Sequence, residues 1–210
     1  MISKPQAQKF LSGLEKLYPD AASELINWST PFQFLICIIL SAQMTDKGVN
    51  KVTKLLFRSY PTSKKMAKAK PQDVEELIRS INYYKTKSKY LIQTAQRIES
   101  EFSGIVPQTE KELITLQGVG KKTAHVFLND LYKKNEGIAV DTHVSRVAQK
   151  HGFSSGKTPG KIAKDLQNIY PQKDWHKVNA TFVLFGRYIC SARGCKCNEK
   201  CPMPEICHIS

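Results

Sequence analysis

No stretch of this 210-residue chain is apolar for long enough to cross a bilayer. The longest apolar run, Phe32 to Leu40, gives way to polar SAQMTDK, well short of the ~20 residues that a spanning helix needs. It reads as a buried helix, so no membrane is expected as a partner. The N-terminus, MISKPQAQKF, has no apolar core of a secretory signal, so no targeting signal is read and a reducing compartment is expected. Cysteine is nearly absent before residue 190. Cys37 stands alone in the apolar run and the other five crowd into residues 190 to 207. Secreted disulfide frameworks spread their cysteines more widely, so this crowding points to a metal cage. Acidic residues are also scarce, 18 against 32 Lys and Arg, for a formal charge of +14 and a pI near 9.5. That balance calls for a polyanionic partner, with nucleic acid ahead of a membrane surface.

Strand-like text is the other scarcity. Gly137 to Val140 is too short to carry a sheet. Apolar residues instead recur at three and four: Phe10, Leu14, Leu17; Val52, Leu55, Leu56; Val74, Leu77, Ile78, Ile81; Leu91, Ala95, Ile98; Ala124, Phe127, Leu128, Leu131. Prolines at 19, 31, 61, 71, 107, 159 and 171 break the pattern where new segments begin. The fold class is therefore all-α, with about ten short helices. Lysines scattered along those helices read as solvated faces.

LQGVGKKTAHVFLND, residues 116 to 130, sets glycines and lysines at a helix start. It is not a phosphate-binding P-loop: Thr115 stands where the first glycine is needed and Lys122 where Ser or Thr is needed. Nor is it a dinucleotide fingerprint, since Thr123 occupies the place of the third glycine. A short helix over 110–116, a turn, and a second helix over 121–131 make a helix-hairpin-helix. Gly118 and Gly120 would let the backbone approach a phosphate, and the N–H groups opening the second helix would point at it. An αα-hairpin whose glycines serve only packing is the alternative, and the positive charge favours DNA. Lys122 falls in the first turn of that helix, on a polar side shared with His125 and Asn129. An ammonium is disfavoured at the positive end of a helix dipole, and a lysine so placed can serve as an amine nucleophile. A plain phosphate contact is the other reading.

Two further features carry chemistry. Cys190, Cys197, Cys201 and Cys207 are separated by six, three and five residues, a density suited to an iron–sulfur cluster. Tetrahedral zinc is the alternative, and Cys195 is surplus. In GIAVDTHVSRVAQKHG, Asp141 ends an extended run before a helix, where it reads both as an N-cap and as a carboxylate that could face Lys122.

Together, FLICIILSAQMTDKGVNKV, LQGVGKKTAHVFLN, AVDTHVSRV, and FGRYIC with the cysteines after it resemble the endonuclease III family of DNA base-excision repair glycosylases and abasic-site lyases. The likeness runs over nearly the whole chain. It implies two helical domains flanking a DNA-binding cleft: a barrel domain over 24–134 that carries the helix-hairpin-helix at about 110–130, and a domain of residues 1–23 plus 135–210 that carries a C-terminal iron–sulfur cluster loop. It implies Lys122 as nucleophile, Asp141 as its assisting carboxylate, and Cys190, Cys197, Cys201 and Cys207 as ligands of a 4Fe-4S cluster. Gln43 would fill the gap left by an extruded nucleotide and Tyr83 would be the wedge. Gly118, Gly120, Lys121, Thr123, Arg193 and Lys196 would meet DNA. The implied activity removes damaged, oxidised pyrimidines from double-stranded DNA and cuts the strand at the abasic site by β-elimination, as a monomer in a prokaryote-like cytoplasm, associated with the nucleoid. A non-catalytic DNA-binding or redox-sensing iron–sulfur module is the alternative. The sequence departs from the family pattern in having three residues rather than two between the second and third cysteines, Gln117 in place of a turn proline, and Tyr83 where leucine is frequent.

Overall fold

Side-chain caps decide where the helices of this chain begin. In the computed structural model, which describes residues 2–206, the hydroxyls of Ser3, Thr30, Thr45, Thr62, Thr109 and Thr158 each accept a hydrogen bond from a backbone N–H in the first turn of the helix that follows. Pro31, Pro71 and Pro159 occupy first positions, where a missing N–H costs nothing. The result is all-helical among the described residues: α1 (Lys4–Leu17), α2 (Pro31–Ser41), α3 (Asp46–Ser59), α4 (Ser63–Met66), α5 (Pro71–Leu77), α6 (Tyr84–Glu101), α7 (Glu110–Leu113), α8 (Lys121–Tyr132), α9 (Thr142–Lys150), α10 (Pro159–Ile169), α11 (Trp175–Tyr188) and α12 (Cys197–Lys200). Residues 137–140 form no strand. No helix among the described residues is long and apolar enough to cross a membrane.

The chain divides into two compact units, residues 24–131 and residues 1–23 with 132–210. In the first, α2 is the central element: every residue from Phe32 to Leu40 is buried. Phe34 stacks on Phe127 of α8 at 6.1 Å and meets Trp28 at a tilt, 4.6 Å between ring centres, and α3 and α6 pack along α2. In the second, α1 and α9 pack against α11 around Phe10, whose ring lies 5.2 to 5.7 Å from Phe153, Phe182 and Phe185. The Tyr170 hydroxyl ties this core to α1 by donating to the Ala7 carbonyl at 2.9 Å.

Periodicity misplaced three side chains. Leu55 points outward and is 53% exposed, and Leu17 is exposed as well. Asn129, grouped above with the polar side of α8, is fully buried, because it follows Phe127 and Leu128 into the core.

Candidate nucleic-acid interface and metal centre

The first helix of the hairpin is shorter, and the turn after it longer, than the sequence suggests. Helix α7 ends at Leu113, and residues 114–120 form the turn into α8. Gly118 sits at φ +76, a conformation that L side chains avoid, and a Cβ there would meet Tyr90 at 2.9 Å and Ile39 at 3.2 Å. Gly120 differs: a Cβ there would meet nothing within 4 Å. One glycine therefore fits the turn onto its own unit, and the other leaves the backbone open to an approaching group. Helix α6 holds the turn from behind. Thr94 donates its hydroxyl proton to the Gln117 carbonyl at 2.7 Å, and Arg97 donates to the Thr115 carbonyl at 2.6 Å.

Lys121 and Lys122 are exposed and Thr123 is half-buried in the first turn of α8. Lys121 lies 3.6 Å from Glu110. Glu110 also takes a 2.6 Å hydrogen bond from His125, so an acidic side chain stands at the mouth of this basic turn. That hydrogen bond from His125 holds the Glu110 carboxyl below its ordinary 4.5; burial opposes the shift, and the charges of His125 and Lys121 add to it.

Gln43 and Tyr83 share an unusual backbone. Their φ values are +56 and +58, the left-handed region that non-glycine residues rarely adopt. Both are exposed, Tyr83 by 65%, and both border a cavity of about 270 Å³ with Ile39, Ala42, Tyr90 and Gly118. Asn82 ties the two loops together by donating to the Gln43 carbonyl at 2.6 Å. Lys87, only 5% exposed, donates to the carbonyls of Leu40 at 2.8 Å and Ala42 at 2.6 Å. Burial lowers the pKa of this lysine. Sequence reasoning missed Asn82, Lys87, Thr94 and Arg97, the residues that hold the protruding ones in place.

Asp141 is the N-cap of α9: its Oδ1 accepts from the backbone N–H groups of His143 at 2.8 Å and Val144 at 2.9 Å. From the next turn, Arg146 donates to the Cys190 carbonyl at 2.7 Å, which fixes the first C-terminal cysteine against α9. Cys190 and Cys197 are buried, and Cys195 and Cys201 are half-buried. Cys207 lies outside the described residues. The donor atoms of Cys190, Cys197 and His151 lie within 4.8 Å of one another, and Cys201 Sγ is 3.6 Å from His151 Nε2. Cys195 is not set apart: burial pushes its thiol up, but hydrogen bonds with Cys197 and Cys190 and the Lys150 charge bring it below its ordinary value. Buried soft thiols beside an imidazole suit a metal centre. Arg193 and Lys196 project into solvent beside it.

The sequence profile of the HhH-GPD superfamily base excision DNA repair proteins matches residues 36–172. Endonuclease III of a Synechocystis species is 41% identical over 99% of this chain and 94% of its own length. The chain belongs to the endonuclease III family. Endonuclease III of Bacillus subtilis is 34% identical over 99% of this chain and 94% of its own length. A solved structure of a trapped endonuclease III–DNA covalent intermediate superposes with a TM-score of 0.92 at 36% identity, covering 99% of this chain and 96% of that one. As an endonuclease III family member the chain is a DNA-binding enzyme of base-excision repair, a DNA glycosylase and abasic-site lyase. The cysteine-rich segment and its family together fit a metal centre.

Proposed function

We propose that Lys122 is the nucleophile of this glycosylase and lyase, that Asp141 is its assisting carboxylate, and that the substrate is duplex DNA carrying an oxidised pyrimidine or an abasic site. The Lys122 amine attacks C1′ of the damaged nucleotide, the C1′–N bond breaks, and the base leaves. Opening of the sugar gives a Schiff base, which acidifies the C2′ proton. Loss of that proton expels the 3′ phosphate, and water then releases the enzyme. The Asp141 carboxylate stabilises positive charge as it develops on the sugar. The observation that carries this reading is the position of Lys122, in the first turn of α8 and two residues after the open backbone of Gly120.

Gln43 and Tyr83 are assigned to the space vacated by the extruded nucleotide, since both protrude in strained, braced conformations. Gly118, Gly120, Lys121, Thr123, Arg193 and Lys196 are assigned to the DNA backbone. The C-terminal thiols are assigned to a 4Fe-4S cluster. A single tetrahedral zinc ion is the alternative occupant. A monomer in a prokaryotic cytoplasm, working at the nucleoid, completes the proposal.

The test is incubation of the purified protein with duplexes carrying an oxidised pyrimidine, an oxidised purine or no lesion. Base release and 3′-side cleavage confined to the pyrimidine duplex are expected. Base release without cleavage would remove Lys122 from its role, and preference for the purine would overturn the substrate assignment.

A further inference from the structure

Helix α6 buries one side in its own unit, and the side it leaves outward carries no acid. At 3.6 residues per turn, positions 85, 89, 93, 96 and 100 fall on one stripe, and Lys85, Lys89, Gln93, Gln96 and Ser100 are all exposed. Each of these side chains can donate a hydrogen bond. The carboxylates of α6 are engaged elsewhere: Glu99 accepts from the Ser63 hydroxyl, and Glu101 pairs with Arg97 at 2.9 Å. On the neighbouring flank, Glu75 of α5 accepts from Ser88 at 3.4 Å.

The stripe continues onto α4. Gln96 donates to the Ala67 carbonyl at 3.1 Å, and Ala67 stands in the run KKMAKAK, where Lys64, Lys65, Lys68 and Lys70 are all exposed. Among the described residues none of these four, nor Lys85 or Lys89, is held in an ion pair. A solvated helix face ordinarily mixes the signs, because like charges four residues apart repel. Lys85 and Lys89 are such a pair. Lys85 also sits in the first turn of α6, where the helix dipole disfavours a cation and no acidic residue stands beside it. This arrangement destabilises the free protein, and an external polyanion relieves it.

The stripe begins at an exposed aromatic. Lys85 follows Tyr83 by two residues, and Tyr83 is 65% exposed. From Lys85 to Ser100 the helix rises about 22 Å, which matches about six phosphates along one DNA strand. We propose that the outward stripe of α6, with the lysines of α4, is a track for the phosphates of the duplex flanking the lesion, on the side of the lesion where Tyr83 enters. This rests on the reading of Tyr83 as the wedge. The track reads no sequence; it lengthens the footprint and adds salt-dependent affinity.

The experiment uses the full-length protein and duplexes with an uncleavable abasic analogue, ending about six base pairs from it on each side. Either flank is then lengthened by about eight base pairs, enough to span the track. In the wild type, lengthening one of the two flanks should raise affinity about tenfold and steepen the dependence of log K on log salt by about 2 to 3, at about 0.9 per phosphate neutralised. The triple variant Lys68→Gln, Lys85→Gln, Lys89→Gln keeps helix propensity and should lose the gain on that flank alone. Lys68→Arg, Lys85→Arg, Lys89→Arg should keep it, since positive charge is all the track asks for. An equal gain in the wild type and the glutamine variant, or a loss shared equally by both flanks, would overturn the proposal. So would capture of a second labelled duplex by protein already saturated with the first, if the glutamine variant abolishes it, because the lysines would then serve another DNA molecule. Tyr83→Ala reports on the wedge separately: an unchanged preference for the analogue over undamaged duplex would overturn that assignment, whereas the flank comparison decides the track.

Discussion

The ammonium of Lys87, on α6, donates to the carbonyl of Ala42 at 2.6 Å, one residue before Gln43. A second bond to Leu40 closes the C-terminal end of α2, where carbonyls have no partner within the helix. Lys87→Met keeps the apolar stem and removes both bonds. It should cost about 1–3 kcal/mol in denaturant unfolding. Single-turnover base release well below the melting temperature should fall about tenfold or more, because Gln43 loses its support. If stability falls and base release does not, the lysine is structural only.

The two turn glycines should separate stability from binding. Gly118→Ala forces a side chain onto φ +76 and against Tyr90, so it should destabilise the fold by about 1–3 kcal/mol. Gly120→Ala meets nothing within its own unit and should leave the melting curve in place while weakening affinity for duplex DNA. Equal stability losses in the two variants would contradict the assignment of Gly120 to the DNA side.

Acid should loosen the entry to the hairpin. The Glu110 carboxyl is held below its ordinary 4.5 in the folded chain, so between the two values the unfolded chain binds more protons and stability rises with pH. The contribution is complete above 4.5 and is lost as pH falls through the folded value. The difference in unfolding free energy between wild type and Glu110→Gln should therefore be flat above 4.5 and shrink below it. A difference that does not change with pH would mean the partnership with His125 is absent in solution.

Asp141 carries two roles that substitution can part. Asp141→Asn keeps an oxygen to cap α9 and loses the charge, so the fold should survive. Base release should drop about a hundredfold, equivalent to about 3 kcal/mol for one preorganised electrostatic group. Asp141→Ala should in addition lower stability by about 1 kcal/mol for the lost cap. Near-normal base release by the asparagine variant would leave only the cap.

Much of this molecule is written in short-range signals. The Phe32–Leu40 run, the Thr-Pro pairs at 30–31 and 158–159, and the Gly118–Lys122 turn each mark a local event, and each stands where the sequence puts it. Lys87 was illegible for a physical reason: a lysine is ordinarily a solvated charge, and its burial here depends on carbonyls 45 and 47 residues away in the chain. A signal was present, since Lys87, Leu91, Thr94, Ala95 and Ile98 fall on one helical stripe and all are buried. Asn129 and Leu55 were misplaced because periodicity reports a face and not the width of the face that neighbours cover. His151 carried no pattern at all, for its partners are thiols about 40 to 50 residues downstream.

The central claim, that Lys122 forms the Schiff base, is tested most directly by locating the covalent bond. The protein is mixed with abasic-site DNA and sodium borohydride, the trapped complex is digested with protease and nuclease, and the sugar-bearing peptide is sequenced by mass spectrometry. The account predicts one adduct, on Lys122, and no trapped product from Lys122→Gln. An adduct on Lys121 or any other amine in the wild type, or undiminished trapping by Lys122→Gln, would contradict it.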